Sequence, residues 1–577
     1  MATRVPIIDA SRCQPNKCNF ECGLACPVNK RGTKCVELVD IEDIGNTRRI
    51  ARVNESVCIG CGLCASSAKK GCPFDAVKMV QIPNELEGEQ VHRYGENGFR
   101  LYRLPRLRQN TVIGILGRNG IGKSTLVAIL KGNIVPPCGS VKSPETCAML
   151  EGISVGRLTT FVKEQKIIEF AKKNRTMRFN FDLSPLGAFL DMHELDGKTP
   201  REMSGGQVQR LMCFLALTSS SDILVFDEPM NHLDVHMRLR MAEAIRSVSH
   251  NRTVIVIEHD LTMLDYLADT VHILYGTPGA FGVVSHPMTA SHAIRAVFEG
   301  YIKVDNMRFR DHIISLSGLD LNEQTELEDC APISLPKTIV HAGSFSCTFL
   351  GGFVPSRAAL VVIIGENGTG KTTLVKHFAS TLGSSIAIME QLSSSSSDDT
   401  LVMDALHNTG TIDSAFRSDI LRPLGVEPLF NRHIRELSGG ELQRVRITQC
   451  LLKDAEITLL DEPSSHLDIE QRVILAKILK RFAIHRNKLV FVVEHDMMVA
   501  VSLGAETRSH VVVFERTSAL ASFAQLLPFK PGLNQFLRRA NMTFRSDTQG
   551  TDHPRPRINK LGSVKDREQK ASGVFYE

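Results

Sequence analysis

The strongest constraint on this chain is a glycine-rich loop that occurs twice. The copies read GRNGIGKST (117–125) and GENGTGKTT (365–373), and both fit G-x-x-x-x-G-K-[ST]. Each follows an apolar, strand-like run (112–116 and 360–364) and precedes a helical pattern, which is the context that a phosphate-binding P-loop requires. Because glycine has no Cβ, backbone N–H groups can curl around phosphates, and the next helix points its positive N-terminus at the anion. The chain is therefore expected to bind two nucleoside triphosphates.

Side chains of each loop supply the remaining phosphate and metal contacts. Lys123 and Lys371 are predicted to reach the β- and γ-phosphate oxygens, and the hydroxyls of Ser124 and Thr372 are predicted to hold Mg²⁺. The predicted phosphate-binding residues are Gly117, Arg118, Asn119, Gly120, Ile121, Gly122, Lys123, Ser124 and Thr125 in the first loop, and Gly365, Glu366, Asn367, Gly368, Thr369, Gly370, Lys371, Thr372 and Thr373 in the second.

Size and composition limit the class of protein. With 577 residues the chain is expected to form three or four domains. Its net charge of +5 allows contact with nucleic acid without requiring it. No apolar run approaches the roughly 20 residues of a membrane span, and the N-terminus lacks the apolar segment of a signal peptide. The fifteen cysteines are therefore expected in a reducing compartment, without disulfides.

Nine of the fifteen cysteines lie before residue 73, and eight of them form two runs that end in Cys-Pro. The spacings C-x4-C-x3-C-x3-C-P and C-x2-C-x2-C-x7-C-P resemble the doubled C-x2-C-x2-C-x3-C-P of two-cluster ferredoxins. That resemblance implies two [4Fe–4S] clusters with interleaved ligands. One set would be Cys13, Cys18, Cys22 and Cys72, and the other Cys58, Cys61, Cys64 and Cys26.

Two features of this region leave alternatives open. A pair of Cys₄ zinc sites is the other interpretation of such spacings, although the shared Cys-Pro endings favour clusters. The gap between Cys64 and Cys72 is four residues longer than in ferredoxins, so it is either a surface loop or a weakness of Cys72 as a ligand. Cys35 lies outside both runs and is expected to be a small buried residue.

Four further motifs follow each P-loop in the same order. In the first copy they are MSGGQVQR (203–210), ILVFDEP (223–229), HLD (232–234) and VIVIEHD (254–260). In the second copy they are LSGGELQRV (437–445), ITLLDEP (457–463), HLD (466–468) and VVEHD (492–496).

The acidic and histidine residues of these motifs predict hydrolysis. The apolar run 223–226 predicts a buried parallel strand, so Asp227 at its end would hold Mg²⁺ through water and Glu228 would polarise the attacking water. A second buried strand at 255–257 would place His259 near the γ-phosphate. The corresponding residues of the second copy are Asp461, Glu462 and His495.

The distances in sequence between equivalent motifs show where the two copies differ in length. The P-loops are 248 positions apart, whereas the SGG motifs and the DE pairs are both 234 apart. The first copy is therefore 14 residues longer between P-loop and SGG, and an amphipathic helix at 157–173 is predicted there, inside an insertion at about 145–175. Gln391, after a strand-like run, is predicted to sense the γ-phosphate and Mg²⁺. Gln165 is the candidate counterpart, although it falls within the predicted helix.

Aromatic residues before the first P-loop are candidates to stack on adenine. They are Tyr94, Phe99 and Tyr102 in HRYGENGFRLYRLP (92–105). Ordinary core aromatics are an equally good interpretation of each one taken singly.

P-loop, SGG, DE and EHD in this order, twice, resemble the ATP-binding-cassette ATPases. The resemblance implies an α/β fold with two nucleotide-binding domains arranged head to tail, so that the SGG of one domain caps the ATP held by the other. The residues Ser438, Gly439 and Gly440 would then complete the Lys123 site, and Ser204, Gly205 and Gly206 the Lys371 site.

The cysteine-rich start narrows the resemblance to ABC subfamily E, the RNase L inhibitor family of ribosome-recycling ATPases. Supporting stretches are CIGCGLC (58–64), EHDLTMLDYLAD (258–269), RFRD (308–311) and RPRINKLGSVKDREQKASG (555–573). The family implies a small α+β ferredoxin-like iron–sulfur domain at 1–80, cassettes at 81–300 and 331–540, a hinge at 301–330 and a C-terminal hinge segment at 541–577.

Function and partners follow from the same resemblance. It implies an ATPase whose cassette closure moves the iron–sulfur domain to split ribosomal subunits after termination or stalling, with a further association with the small subunit in initiation. The implied partners are the small subunit and its rRNA, a class-1 release factor or its stalled-ribosome paralogue, and initiation factors, but no membrane. The chain would be a monomer in the cytoplasm, with the nucleus as a further location.

Three rivals remain: a redox-coupled ATPase, a non-enzymatic translation or nuclease-inhibitor scaffold, and the ATPase half of a transporter. The chain also departs from the family at Met203, Gln207 and 230–231, in the long cysteine gap, and in the missing first Q-loop with the shortened region around it. These departures predict that the first nucleotide site is tuned differently from the second.

Overall fold

The structure is a computed structural model. It describes residues 3–10, 12–43, 46–66, 71–83, 86, 88–137, 141–165, 167–174, 176–179, 181, 184–314, 332–343, 345–382, 385–390, 399–504, 509–518, 520–547, 555–559 and 563–576.

The N-terminal domain consists of short strands and helices around cysteines. Two antiparallel pairs form, β1 with β4 and β2 with β3. Buried cysteines form the centre of this small core together with Val53 and Val77. Its elements are β1 (Thr3–Ile8), α1 (Glu21–Ala25), α2 (Pro27–Lys30), β2 (Val36–Asp43), β3 (Asn46–Val53) and β4 (Val77–Ile82).

The first cassette is a sheet flanked by helices. Its strands are β5 (Gln90–Arg93), β6 (Arg100–Tyr102), β7 (Thr111–Gly117), β8 (Thr160–Lys163), β9 (Ile223–Asp227), β10 (Thr253–Ile257), β11 (Thr270–Thr277) and β12 (Phe281–Val284). Its helices are α3 (Lys123–Leu130), α4 (Pro144–Ser154), α5 (Ile167–Lys173), α6 (Pro185–Phe189), α7 (Gly205–Thr218), α8 (Val235–Ser247), α9 (Leu261–Leu267) and α10 (Ala290–Glu299). A short hairpin of β13 (Tyr301–Ile302) and β14 (Met307–Arg308) follows.

The second cassette repeats this plan. Its strands are β15 (Ile333–Leu335), β16 (Thr338–Ala342), β17 (Phe345–Phe349), β18 (Gly352–Val354), β19 (Ala359–Ile364), β20 (Ile386–Met389), β21 (Ile457–Asp461), β22 (Leu489–Val493), β23 (His510–Ser518) and β24 (Ala521–Pro528). Its helices are α11 (Lys371–Thr381), α12 (Val402–His407), α13 (Ser414–Phe416), α14 (Gly439–Leu452), α15 (Ile469–His485), α16 (Met497–Gly504) and α17 (Phe529–Arg539). The chain ends with β25 (Phe544–Asp547), β26 (Arg555–Ile558) and α18 (Val564–Ser572).

Both cassettes have the same strand order. Within the described residues, the first main sheet runs β5-β6-β12-β11-β7-β10-β9-β8 and the second runs β16-β17-β24-β23-β19-β22-β21-β20. In each sheet the strand before the P-loop lies centrally and is parallel to the strand that precedes EHD, which is parallel to the strand that ends in DE. Since parallel strands end at the same edge of a sheet, all three motifs meet there.

The predicted helix at 157–173 is wrong in its first half. Residues 160–163 form β8, which pairs in parallel with β9, and the helix α5 begins only at Ile167. The β-branched and aromatic residues of this segment suit an edge strand, and the pairing with a buried strand overrides the apparent helical pattern. The inserted helix lies earlier, at α4, where Ser143 accepts a hydrogen bond from the Thr146 N–H as the N-cap.

The two cassettes form one continuous body. Met230 and Leu233 of the first belong to the same hydrophobic cluster as Leu467 of the second. Ile469 and Val473 on α15 pack in a cluster with residues of α9. No helix in the described part of the chain combines the length and the apolar character that a bilayer crossing demands.

Described residues of both predicted hinge segments contact the cassettes. Arg310 of the RFRD stretch is buried and donates to the Val297 and Phe298 carbonyls at 2.5 and 2.8 Å. Its guanidinium also lies 3.9 Å from the Glu470 carboxylate on α15 of the second cassette. At the C-terminal end, Arg557 on β26 lies 3.8 Å from Asp265 on α9 of the first cassette. Each hinge therefore joins the two cassettes through an ion pair.

Replacing Arg310 tests this connection. We expect Arg310→Ala to destabilise the docked cassettes by about 2 kcal/mol, because three main-chain carbonyls each lose one donor and the Glu470 carboxylate loses one ion-pair partner. The matched control is Arg308→Ala, because Arg308 is exposed and lies over the Tyr301 ring at 5.9 Å, a contact worth less than about 1 kcal/mol. Urea unfolding of both variants measures the difference, and equal midpoints would contradict the structural role of Arg310.

Candidate nucleotide sites and cysteine pockets

The first P-loop lies between β7 and α3. The Lys123 ammonium donates to the Gly117 carbonyl at 3.0 Å and to the Asn119 Oδ1 at 3.3 Å, and it lies 2.5 Å from the His259 Nε2. Gly122 has φ +106°, and a Cβ there would lie 2.6 Å from the Phe99 ring. Glycine is therefore required at this position for both its conformation and its space.

The second P-loop lies between β19 and α11, and its lysine also bonds the carbonyl of the first glycine of the loop. The Lys371 ammonium donates to the Gly365 and Glu366 carbonyls at 3.0 and 2.6 Å. The Thr372 hydroxyl donates to the Asp461 carboxylate at 2.7 Å. A hydroxyl beside a carboxylate is the oxygen pair that Mg²⁺ takes in such sites, so this donor set fits the predicted metal.

Both predicted catalytic glutamates adopt the same unusual backbone conformation. Glu228 has φ +48° and Glu462 has φ +49°, a left-handed region that non-glycine residues seldom occupy. The His259 Nε2 lies 3.4 Å from the Glu228 carboxylate, and the His495 Nε2 lies 3.3 Å from the Glu462 carboxylate. Strain repeated at equivalent positions of two sites indicates a functional constraint.

Burial sets the protonation of these groups. Burial and the neighbouring Glu228 carboxylate raise the pKa of Asp227 to about 6. Burial, and then the nearby lysine ammonium, lower the pKa of His259 and of His495. Each histidine is therefore neutral at physiological pH and can exchange a hydrogen bond with a phosphate oxygen or a water molecule.

A second pair of acids lies behind the site and was not predicted as functional. Glu258 accepts from the Met230 and His259 N–H groups at 3.2 and 2.8 Å. Glu494 accepts from the Ser464 hydroxyl at 2.8 Å and from the His495 N–H at 3.3 Å. These acids tie the EHD turn to the segment that follows DEP in the same cassette.

The cassettes are arranged head to tail, as the sequence predicted. The Asn367 N–H donates to the Asp234 carboxylate and its side-chain amide donates to the His232 carbonyl, both at 2.8 Å. A Cβ on Gly206 would lie 3.3 Å from the Asn367 Nδ2, and one on Gly440 would lie 3.5 Å from the Asn119 Nδ2. The SGG motif of each cassette therefore faces the P-loop of the other.

Each signature serine also begins a helix that points at the opposite loop. Ser204 caps α7 and Ser438 caps α14, both through a capping box with the residue at the third helical position. Gly205 and Gly439 follow these serines and carry no side chain, so the N-termini of both helices are open toward the facing P-loop.

The contribution of the HLD motifs was missed. The sequence showed them twice, yet it gave no partner for His232 or Asp234, because that partner is Asn367 in the other cassette. The His232 and His466 rings meet at the centre of the interface, with centroids 5.8 Å apart. The signal that could have found them is their repetition at a fixed distance from DE.

Gln165 lies in the first site and not within a helix, and it is an exposed residue. It follows β8, and its amide donates to the Glu228 carboxylate at 2.6 Å. Gln165 lies two residues after the end of β8, which pairs with β9. In the sequence, Gln391 likewise follows the end of β20 by two residues, and β20 pairs with β21. Gln391 itself lies outside the described residues, so its role stays a prediction.

The three aromatic residues predicted to stack on adenine lie in different environments. Phe99 lies against Gly122 of the P-loop. Tyr102 is buried edge-on against Phe281 at 6.3 Å, so its prediction as a stacking residue is wrong and it is a core aromatic. Tyr94 is half exposed and packs edge-on against His92.

The second copy has an aromatic residue in the place of Phe99, and the sequence analysis missed it. The Phe345 ring would lie 3.1 Å from a Cβ on Gly370, as the Phe99 ring would lie close to one on Gly122. Phe345 is therefore the equivalent of Phe99 beside the second P-loop.

The cysteines form the two interleaved sets expected from ferredoxins. One pocket is lined by Cys13, Cys18, Cys22 and Cys72, and the other by Cys26, Cys58, Cys61 and Cys64 together with Cys35. The Ala51 N–H donates to the Cys13 sulfur and the Ala76 N–H to the Cys72 sulfur, both at 3.4 Å. Four cysteines around one pocket, with N–H donors to sulfur, are the donor set that an iron–sulfur cluster needs.

The long cysteine gap does not displace Cys72. The Cys72 N–H donates to the Cys64 carbonyl at 2.9 Å, and the Gly71 N–H donates to the Ser66 carbonyl at 2.8 Å. These bonds close the loop at its base and return Cys72 to the pocket of the first run. Cys35 is buried as predicted, and it lines the pocket of the second set.

The fold and these sites define a twin-cassette ATPase of the ABC class with an N-terminal iron–sulfur-type domain. The ABC transporter family model matches residues 105–231 and 356–465, and the model "Possible Fer4-like domain in RNase L inhibitor, RLI" matches residues 3–34.

Relatives of full length extend this match. The chain is 35% identical over 605 residues to "Translation initiation factor rli1" of Schizosaccharomyces pombe, covering 100% of this chain and 98% of the relative. It resembles a chain of the solved structure "Model of ribosome-bound archaeal Pelota and ABCE1" with a TM-score of 0.87 and 33% identity, covering 100% and 99% of the two chains. A complex of the archaeal ribosomal stalk protein aP1 and the archaeal ribosome recycling factor aABCE1 matches with a TM-score of 0.73 and 35% identity over 86% of this chain and 100% of that one. The chain belongs to ABC subfamily E, the RNase L inhibitor family.

The buried acid Glu494 gives a pH prediction. Burial raises the pKa of Glu494 to about 7, so the folded chain keeps a proton that the unfolded chain releases near its ordinary value of 4.5. Stability is therefore lost as pH rises through that window. We expect Glu494→Gln to reduce the stability loss between pH 5 and pH 8 by at least about 1 kcal/mol.

Urea unfolding at the two pH values measures this effect. Glu436→Gln, at an exposed side chain, is the control and should keep the wild-type loss. An unchanged loss in Glu494→Gln would show that Glu494 is ionised in the folded chain throughout this range.

Proposed function

We propose that the chain is an ATP-hydrolysing ribosome recycling factor, in which cassette closure around two ATP molecules moves the iron–sulfur domain. The observation that carries this proposal is the pair of cross-cassette hydrogen bonds from Asn367 to Asp234 and His232. They place a P-loop of one cassette against the other cassette. A triphosphate bound there contacts both cassettes, and its hydrolysis removes the γ-phosphate that holds them together.

The hydrolysis uses side chains that the structure brings together. Lys123 or Lys371 binds the β- and γ-phosphates, and the neutral His259 or His495 hydrogen-bonds the γ-phosphate. Glu228 or Glu462 orients a water molecule and accepts its proton as the water oxygen bonds to phosphorus and the bond to the β-phosphate oxygen breaks. Ser124 with Asp227, and Thr372 with Asp461, would hold Mg²⁺, which would neutralise charge on the phosphates.

The N-terminal domain is attached so that it follows the first cassette. Asn97 exchanges two hydrogen bonds of 2.8 Å with the Val53 backbone, and the Glu55 carboxylate pairs with Arg93 at 2.7 Å and Arg100 at 2.5 Å. The Ile8 N–H also donates to the Asn97 carbonyl at 2.9 Å. A rotation of the first cassette would therefore be transmitted to the cysteine domain, where the two cysteine sets would hold [4Fe–4S] clusters that stiffen it.

The ribosome is the proposed partner because relatives of full length carry ribosomal titles, including a ribosome-bound chain and a ribosome recycling factor. The action proposed is splitting of the subunits after termination or stalling, together with a class-1 release factor or its stalled-ribosome paralogue. A further association with the small subunit and initiation factors follows from the initiation-factor relative. The chain acts as a monomer in the cytoplasm, where ribosomes work.

Phosphate release tests the reaction. We expect Glu228→Gln with Glu462→Gln to reduce ATP turnover by at least about 100-fold, because no carboxylate then accepts the proton of the attacking water. Binding of ATP should remain, since both P-loops are unchanged. Undiminished phosphate release would exclude both glutamates from catalysis.

Metal analysis tests the cluster domain. We expect about eight iron and eight acid-labile sulfide per chain, and about four of each in Cys72→Ser, because one cluster loses a ligand. The control is Cys147→Ser, which keeps about eight because Cys147 lies on α4, outside both cysteine pockets. Zinc without sulfide in the native protein would favour the zinc interpretation instead.

A further inference from the structure

The Glu228 carboxylate of the first site is held by more than its histidine. Its Oε2 accepts from the Gln165 amide at 2.6 Å and also from the Asn231 amide. Its Oε1 lies 3.4 Å from the His259 Nε2. The residue is 5% exposed, so these protein groups make up most of its surroundings.

The residue equivalent to Asn231 in the second site bonds a different atom of its glutamate. Asn231 is three residues after Glu228, and Ser465 is three residues after Glu462. The Ser465 hydroxyl donates to the Glu462 main-chain carbonyl at 2.8 Å. The same position of the motif therefore holds the carboxylate in the first site and the backbone carbonyl in the second.

Lys163 takes the role of this serine in the first site. It is 2% exposed, and its ammonium donates to the Asp227 carbonyl at 2.8 Å and to the Glu228 carbonyl at 3.2 Å. Lys163 pairs with Phe226 in the sheet register, as Met389 pairs with Leu460, so Met389 is its equivalent. Since methionine has no donor group, the second copy needs Ser465 for this bond.

The main-chain carbonyl of each glutamate accepts from more than one donor. Glu228 and Glu462 have positive φ, and each carbonyl also accepts from a glutamine at the equivalent position of its own copy, Gln209 at 2.7 Å and Gln443 at 3.1 Å. The glutamate carbonyl therefore receives its second donor in two different ways, from Lys163 in the first site and from Ser465 in the second. Only the first leaves position 231 available to reach the carboxylate.

We propose that Asn231, made available by Lys163, is a positioning residue that restrains Glu228 and slows hydrolysis at the first site relative to the second. This proposal rests on the ATP hydrolysis proposed above. Gln165 and Asn231 both donate to one carboxylate oxygen, so they occupy acceptor positions that the attacking water needs. The water must displace an amide or approach Oε1, beside His259, before its proton can pass to Glu228.

The test measures each site separately and exchanges the residues that differ between the two sites. In a Glu462→Gln background, where phosphate comes from the first site, Asn231→Ser removes the amide donor. We expect kcat to rise about two- to ten-fold with KM unchanged, which is the size of one hydrogen bond. Asn231→Ala should give the same rise, and Asn133→Ser, at an exposed asparagine outside the site, should give none.

The reciprocal exchange is made in a Glu228→Gln background. Met389→Lys with Ser465→Asn installs the first-site pair in the second site, and we expect kcat to fall by a similar factor with KM unchanged. If these residues had only a structural role, the exchanges would lower kcat at both sites, and Asn231→Ser would not raise it.

The outcomes separate this proposal from the proposed function. If Asn231→Ser and Asn231→Ala do not raise phosphate release above that of Glu462→Gln alone, the restraint on Glu228 is overturned. If the wild-type chain itself releases no phosphate, the proposed ATPase function fails instead, whatever the variants do.

Discussion

The contact between a P-loop of one cassette and the HLD segment of the other is the interaction on which the structure depends. Asn367 makes it with its backbone and its side chain together, so the loop that would hold phosphate is also the loop that docks the cassettes. A chain that binds its ligand at its own internal interface converts ligand binding into a change of shape. The ion pairs of the predicted hinge segments also link the two cassettes.

Two nearly identical scaffolds carry different side chains at their centres. The sheets have the same strand order, and both predicted catalytic glutamates have the same left-handed backbone. Yet the donors to their carbonyls differ, with an ammonium in one copy and a hydroxyl in the other. The expectation that the first site is tuned differently came from several departures, among them the 230–231 dipeptide, and in the structure Asn231 of that dipeptide contacts Glu228.

Much of this arrangement could be predicted from the sequence because it follows from local patterns. P-loops, buried strands and Cys-Pro runs are short, and the edge at which parallel strands end fixes where their motifs meet. The strand β8 could not be found, because its four residues lie at a sheet edge between charged segments and its strongest contact is the pairing with β9. Missing that strand also misplaced Gln165 and left Lys163 unrecognised.

Residues that act across the interface were out of reach for a different reason. The partners of His232 and Asp234 lie 133 or more positions away, and nothing in the local sequence encodes how two domains dock. Phe345 was missed because the adenine-side aromatics were sought in one copy, although its equivalence to Phe99 needs only the repeated strand order.

The most direct test is an experimental structure of the Glu228→Gln, Glu462→Gln variant with Mg²⁺ and ATP. The account predicts that the γ-phosphate at Lys123 accepts a hydrogen bond from the Ser438 hydroxyl, and the γ-phosphate at Lys371 one from Ser204. A structure in which each nucleotide contacts only one cassette, and neither signature serine reaches a γ-phosphate, would contradict it.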